Sequence, residues 1–375
     1  MNNNRNTIID IAKGILMILV IIGHFSFFEY EARTITLIYS FHMPAFFIIA
    51  GILSHINETN TYKGIIKKRF IYTIIPYYVF YFISFIIIDA KSLGNYNLSL
   101  KYMYNGIGNP DFSVNLPLWF LTLYFVATTI YELLDLLAIK ISIKIKTNNS
   151  SNTNHFISNI NEYLLLLFII ILTFISFIYC RMLKGPRLIY NFETALIVLP
   201  FIYAGRLFKI LYKRYATKIQ EIFCIYKNKT IIYRLLNILL FFIILVIWYC
   251  LSMKNLRLDL HARNVRHLHL TYINGILGTI LLFYATYIIS FIPIVNTSLA
   301  FLGKISLYIL AFHIPGNLIT YLVLYDYMPA FITTRLDSFN IVPVIVRTSI
   351  ELLFSIFMYI ICKYVLQAKN KYLTK

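Results

Sequence analysis

The amino-acid sequence predicts an all-α fold: a polytopic membrane protein of about ten transmembrane helices, with both termini in the cytoplasm. Three observations predict it. Lys, Arg, Asp and Glu fill only 13% of the 375 positions, where a soluble chain carries roughly a quarter. Apolar residues make up 59% and mean hydropathy is +0.73. Charge-poor runs long enough to cross about 30 Å of hydrocarbon recur from end to end. In lipid every backbone polar group must be bonded internally, so continuous apolar runs form helices, whereas barrels show short segments of alternating polarity. A soluble multidomain enzyme, a disordered chain and a disulfide scaffold are thereby excluded.

The runs are justified in order. Ile11 to Phe28 opens behind Asp10 and Lys13 and lacks a small-residue cleavage site, so it is expected to remain as a helix and not to leave as a signal. Ile35 to Ser54 carries SFHMPAFFIIAG, and Phe70 to Ile88 follows the cation cluster Lys67, Lys68 and Arg69. Leu118 to Ile139 begins at Trp119. Between it and Tyr163 to Cys180, the stretch Lys140 to Asn161 is rich in Asn and Ser and reads as a flexible cytoplasmic linker inside a single domain spanning residues 1–375. Phe192 to Tyr212, Ile231 to Ser252 and Tyr272 to Ile292 follow. Leu299 to Leu324 holds Lys304 and His313, and Pro343 to Val365 closes the set.

An even number of crossings puts both ends on one side. Lys and Arg concentrate in the stretches of that side, Lys63 to Arg69, Lys140 to Lys146, Arg206 to Lys229 and Lys363 to Lys375, which makes it cytoplasmic in a multi-pass protein of the cell (plasma) membrane. The net charge of +19 sits largely beside helix ends, where it sets orientation and meets anionic membrane lipid, so nucleic acid is not expected as a partner. Cys180, Cys224, Cys250 and Cys362 have no CxxC spacing and read as packing residues. No internal repeat of the kind that marks many transporters is visible.

Ionisable residues inside apolar helices are costly and point to function. His24, His42, Lys304 and His313 are the foremost. Lys13 and His24 stand eleven positions apart, about three helical turns, so they share one helix face at roughly 16 Å. Two groups on one stripe suit one elongated ligand. His42 lies at a depth comparable to His24, so both imidazoles are expected to face one cavity, unless each merely bonds a neighbouring backbone. Lys304 and His313 are nine residues apart and point to opposite faces unless Pro315 bends the helix.

Five segments, RNTIIDIAKGILMILVIIGH, FHMPAFFIIAG, KKRFIYTIIPYY, LWFLTLYF and LAFLGKISLYILAFH, in this order and spacing, resemble the integral-membrane acyltransferase 3 family. The likeness is to its branch similar to fucose 4-O-acetylases and capsule polysaccharide O-acetyltransferases. The resemblance implies an O-acetyltransferase that moves an acetyl or other acyl group from acetyl-CoA to a hydroxyl of an envelope glycan or lipid-linked saccharide. Acetyl-CoA is then a donor co-substrate, and no tightly bound cofactor is implied. The resemblance also makes His24 catalytic and Lys13 functional, at a position where many members carry Arg. Tyr72 departs from the pattern, because related sequences often place a second basic residue there.

The chemistry of the residues agrees. An imidazole suits removal of a proton from an attacking hydroxyl, so His24 is the candidate general base, acting directly or by becoming acylated itself. His42 can orient the acceptor, stabilise the oxyanion or act as second acid/base. Lys13, Lys67, Lys68, Arg69 and Lys304 are candidate donor-binding cations, with lipid-facing anchoring as the plainer role of the cluster. Asp10 is too far along the helix to pair with His24 and reads as a cap, which leaves Asp259, Glu29 and Glu31 as possible carboxylate partners. In LRLDLHARNVRHLHLTYIN the histidines lack metal-ligand spacing, so no metal is expected. Asp259 and Arg263 there, with Trp119 and His313, are candidate acceptor-binding residues. The competing class is a transporter or flippase for a lipid-linked sugar or small solute, without bond chemistry.

Overall fold

The computed structural model describes residues 7–24, 32–87, 96–108, 114–148, 159–223, 231–255, 257–327 and 341–373. Among them the regular elements are helices, with one isolated antiparallel bridge between Asp259 and Asn264. Seven stretches among the described residues are long and apolar enough to cross a membrane, and two bent helix pairs raise this to nine. The chain is a multi-pass helical membrane protein.

Helix α1 (Thr7–Gly23) lies centrally. It packs against α2 (Ala32–Leu53), α11 (Leu268–Ile289), α12 (Pro293–Lys304), α13 (Ser306–Tyr327) and α14 (Ile341–Leu373), so both its apolar residues and Asp10 are buried. Its approach to α12 depends on two missing side chains. A methyl group at Gly14 would overlap the Leu299 carbonyl, and one at Gly303 would overlap the Asp10 carbonyl. Small residues admit such backbone contact where lipid supplies no hydrophobic drive between helices. At the periphery, α10 (Ile231–Asn255) turns Leu235, Leu239, Phe242 and Val246 outward, as a lipid-facing helix does.

Proline sets the irregularities. The span Tyr62–Ile87 is α3 (Tyr62–Arg69), a π-helical turn (Phe70–Ile74) and α4 (Ile75–Ile87). Pro76 supplies no N–H to Tyr72, and the widened turn, in which Ile75 N–H reaches Phe70 O, absorbs the loss. Pro200 likewise leaves Leu196 O without its helical donor. The Thr173 hydroxyl of α7 (Ile160–Arg181) donates to it at 3.1 Å, beside a 53° bend that parts α8 (Phe192–Ile197) from α9 (Leu199–Phe223). Pro315 frees Ala311 O in α13, and Asn115 Nδ2 donates there at 2.6 Å. Asn115 precedes a 3-10 turn (Leu116–Leu118) that leads into α6 (Trp119–Asn148), and α5 (Tyr96–Asn105) lies in the preceding connection.

Three expectations change, the first being the run Phe192 to Tyr212, which the 53° bend at Val198 divides into two helices. The run Leu299 to Leu324 is not one helix: an 83° bend separates Lys304 from Ser306, where Gly303 is pinned against the α1 backbone and Ile305 turns inward. The stretch read as a linker from Lys140 is helical through Asn148, the end of α6. Its residues 149–158 lie outside the described residues.

Candidate functional site

A cavity of about 470 Å³ runs along α1, with both Lys13 and His24 on its wall. At the Lys13 end it is bordered by Leu53, Tyr72, Thr73 and Ser306. The π-helical turn is what brings Tyr72 and Thr73 there, and the bend after Lys304 brings Ser306. The middle is apolar, formed by Met17, Val20, Met43, Phe46, Phe120 and Leu310. The far end collects His24, Tyr39, His42, Trp119, Arg257, Asp259 and His261.

Three imidazoles at or beside that end, His42, His261 and His313, are each held by a backbone carbonyl. His42 Nδ1 lies 2.8 Å from Ile38 O, and because a carbonyl only accepts, Nδ1 carries the proton and Nε2 keeps its lone pair. His313, wholly buried, donates from Nδ1 to Ile309 O and Leu310 O, both at 3.0 Å. Its ring centroid stands 5.4 Å from that of His24. Tyr39 donates its hydroxyl to Gly23 O at 3.2 Å, which ties α2 to the end of α1 beside His24, and its ring edge meets His42 at 5.0 Å.

The segment between α10 and α11 covers this end. The Arg257 guanidinium lies 4.2 Å over the Tyr39 ring and 3.8 Å from Asp259. Asp259 accepts from Ala262 N–H at 2.9 Å. His261 donates to Gly108 O at 3.3 Å and packs 5.2 Å from Trp119. Burial, and next the nearby Arg187 charge, hold the His261 imidazole below its ordinary range, so it is neutral at pH 7.

The acyltransferase 3 family model, described as an acyltransferase domain, matches residues 6–368. The chain belongs to the acyltransferase 3 family. It is a membrane acyltransferase. No curated protein and no solved structure matches it.

In this acyltransferase, five of the residues singled out from sequence, Lys13, His24, His42, Trp119 and Asp259, line one cavity. His313 stands behind His24. The others lie elsewhere. Lys67, Lys68 and Lys304 are exposed and off the cavity wall. Arg69 commits its guanidinium to Glu132, from Nε to Oε2 at 2.9 Å and again from Nη2 to Oε1. Arg263 donates to Gly185 O at 2.8 Å and sits 3.6 Å from Glu193, holding the loop after α7 against α8. Glu29 and Glu31 lie outside the described residues.

The acyltransferase also holds functional candidates that sequence reading passed over. Tyr39 shapes the histidine end, yet one tyrosine among 31 carries no signal. The buried pair Arg347 and Glu351, Nε to Oε1 at 2.9 Å, was legible as an i,i+4 ion pair inside an apolar helix. Among the described residues no three His, Cys, Asp or Glu side chains converge as metal ligands do.

Proposed function

We propose that this chain is an O-acetyltransferase that carries acetyl from cytoplasmic acetyl-CoA to a hydroxyl of an envelope glycan or lipid-linked sugar at the opposite face of the plasma membrane. Ten crossings with both termini in the cytoplasm give that orientation: the Lys13 end of the cavity opens inward and the His24 end outward. The observation that carries the reading is one cavity with a cation at one end and an imidazole at the other, about 16 Å apart along α1. CoA has an anionic nucleotide and a long thin arm. Lys13 attracts the phosphates, and the arm lies along the apolar middle with its thioester at His24.

His24 takes the proton of the acceptor hydroxyl as its oxygen attacks the thioester carbonyl. The tetrahedral oxyanion collapses, the C–S bond breaks, and the thiolate recovers the proton from the imidazolium. The products are the acetyl ester and CoA thiol. His42 borders the same space and is placed to orient the acceptor or donate to the oxyanion once protonated. Tyr39, Trp119, Arg257 and Asp259 offer aromatic faces and paired charges suited to a sugar ring.

The experiment is acyl transfer by the purified protein in lipid nanodiscs, with labelled acetyl-CoA and envelope glycan. Base-labile label on the glycan is expected. Movement of the saccharide between leaflets of proteoliposomes with no acetylated product would overturn the reading in favour of a transporter.

A further inference from the structure

A histidine base needs one ring nitrogen occupied so that the other is presented to the substrate. Among the described residues, the carboxylate that shares the cavity wall with His24 and the one nearest Arg347 already have partners. Asp259 accepts from Ala262 N–H and faces Arg257, and Glu351 is paired with Arg347. His313 is different. Its Nδ1 proton is shared between the Ile309 and Leu310 carbonyls, which fixes the tautomer and leaves Nε2 as an acceptor. That Nε2 is buried and has no hydrogen-bond partner among the described residues. Its ring is the neighbour of His24, with centroids 5.4 Å apart and planes tilted by 38°. Two imidazoles joined by an N–H···N bond of about 3 Å have centroids about 5 Å apart, close to the separation of these two rings.

The surroundings hold His313 at that spot. Pro315 opens the α13 backbone two residues on, and Asn115 closes it again by donating to Ala311 O, while its second N–H goes to Ser84 Oγ at 2.8 Å. A buried acceptor without a donor is destabilising, and nothing in the packing of Phe312, Leu310 or Ile309 requires a polar ring here.

We propose that His313 is the positioning residue of the acyl transfer, its Nε2 accepting the N–H of His24 so that the base keeps one tautomer and the imidazolium is steadied as the hydroxyl is deprotonated. The proton moves from the hydroxyl to the other nitrogen of His24 and on to the CoA sulfur. His313 keeps its own Nδ1 proton throughout and gains none. This inference rests on His24 being the base.

The test compares wild type, His313→Leu and His313→Gln in nanodiscs with labelled acetyl-CoA and glycan. Leu keeps the volume without an acceptor, and the Gln Oε1 reaches the position of Nε2. His313→Leu is expected to lose about 100-fold in kcat, with both KM values within about twofold. His313→Gln is expected to recover at least about tenfold over Leu. A Leu variant with wild-type kcat, or a loss carried by KM with Gln no better than Leu, would overturn the proposal while leaving His24 as base intact. Absence of transfer by wild type would instead sink the functional reading beneath it. Should the Leu variant fail to reach the membrane, wild-type protein labelled with ¹⁵N-histidine and saturated with desulfo-CoA carries the test. An N–H···N coupling between His24 and His313, assigned with His24→Asn, is expected, and its absence contradicts the proposal.

Discussion

On α6 the buried acids Glu132 and Asp135 meet guanidinium groups directly: Arg69 grips Glu132, and Arg206 bridges Asp135 at 2.6 Å and Glu162 at 2.7 Å. At the histidine end of the cavity His42 and His313 each spend one nitrogen on a carbonyl and keep the other in reserve. Both sets put ionisable side chains into apolar helices. The first uses its charges up on one another and fastens α3, α6, α7 and α9 together. The second leaves lone pairs unspent, His42 Nε2 at the cavity wall and His313 Nε2 beside the His24 ring. A buried ionisable residue is therefore a functional candidate only after its partners are known.

The largest expected effect falls on the histidine end. His24→Ala should lower kcat by about 10³-fold or more, with membrane abundance unchanged on quantitative blotting; wild-type turnover would show that the base lies elsewhere. The charged set should respond through stability. Glu132→Leu leaves the Arg69 guanidinium half-buried and without its fork, which is expected to cost on the order of 3 kcal/mol, read as a lower melting temperature in detergent. The double variant Arg69→Leu with Glu132→Leu should recover most of that loss. Equal melting temperatures for single and double variants would mean that the pair is not a unit.

At the Lys13 end, Lys13→Gln should raise the KM for acetyl-CoA about tenfold, the value of one charge-assisted phosphate contact, with kcat little changed. A fall in kcat alone would move Lys13 from donor binding to chemistry. The smallest effect concerns the cover segment. His261 is depressed below its unfolded value near 6.5, so as pH falls through that value the unfolded segment takes up a proton that the folded one refuses, and local stability declines until the folded ring also protonates. Protection factors of amides 257–263, that is, exchange corrected for the intrinsic rate at each pH, should therefore fall between pH 7 and 5, and His261→Gln should flatten the dependence. Protection factors that do not change with pH in the native protein would remove this linkage.

Sequence reading reached the axis of the site because helix geometry alone fixes it: eleven residues return Lys13 and His24 to one face, whatever surrounds them. The apolar spans were legible for a similar reason, since lipid leaves the backbone little choice. The turn after Lys304 was not, because Gly303, Lys304 and Ser306 inside an apolar run also fit one continuous helix, and the cause is a tertiary contact, Gly303 on the Asp10 carbonyl. The approach of the His24 and His313 rings, and the pairing of Arg69 with Glu132, join helices far apart in the chain, and no local pattern encodes either. Arg69 and Arg263 looked like ligand-binding cations for want of visible partners, and the fold supplies Glu132 to one and Glu193 with the Gly185 carbonyl to the other.

The central claim is passage of acetyl along α1 from the Lys13 end to the His24 end, and sidedness measures it most directly. Protein would be inserted in one orientation in liposomes, with labelled acetyl-CoA confined to one face and the glycan to the other. Label should reach the glycan only when the donor occupies the face of Lys13. Transfer only when donor and glycan share a face would contradict it.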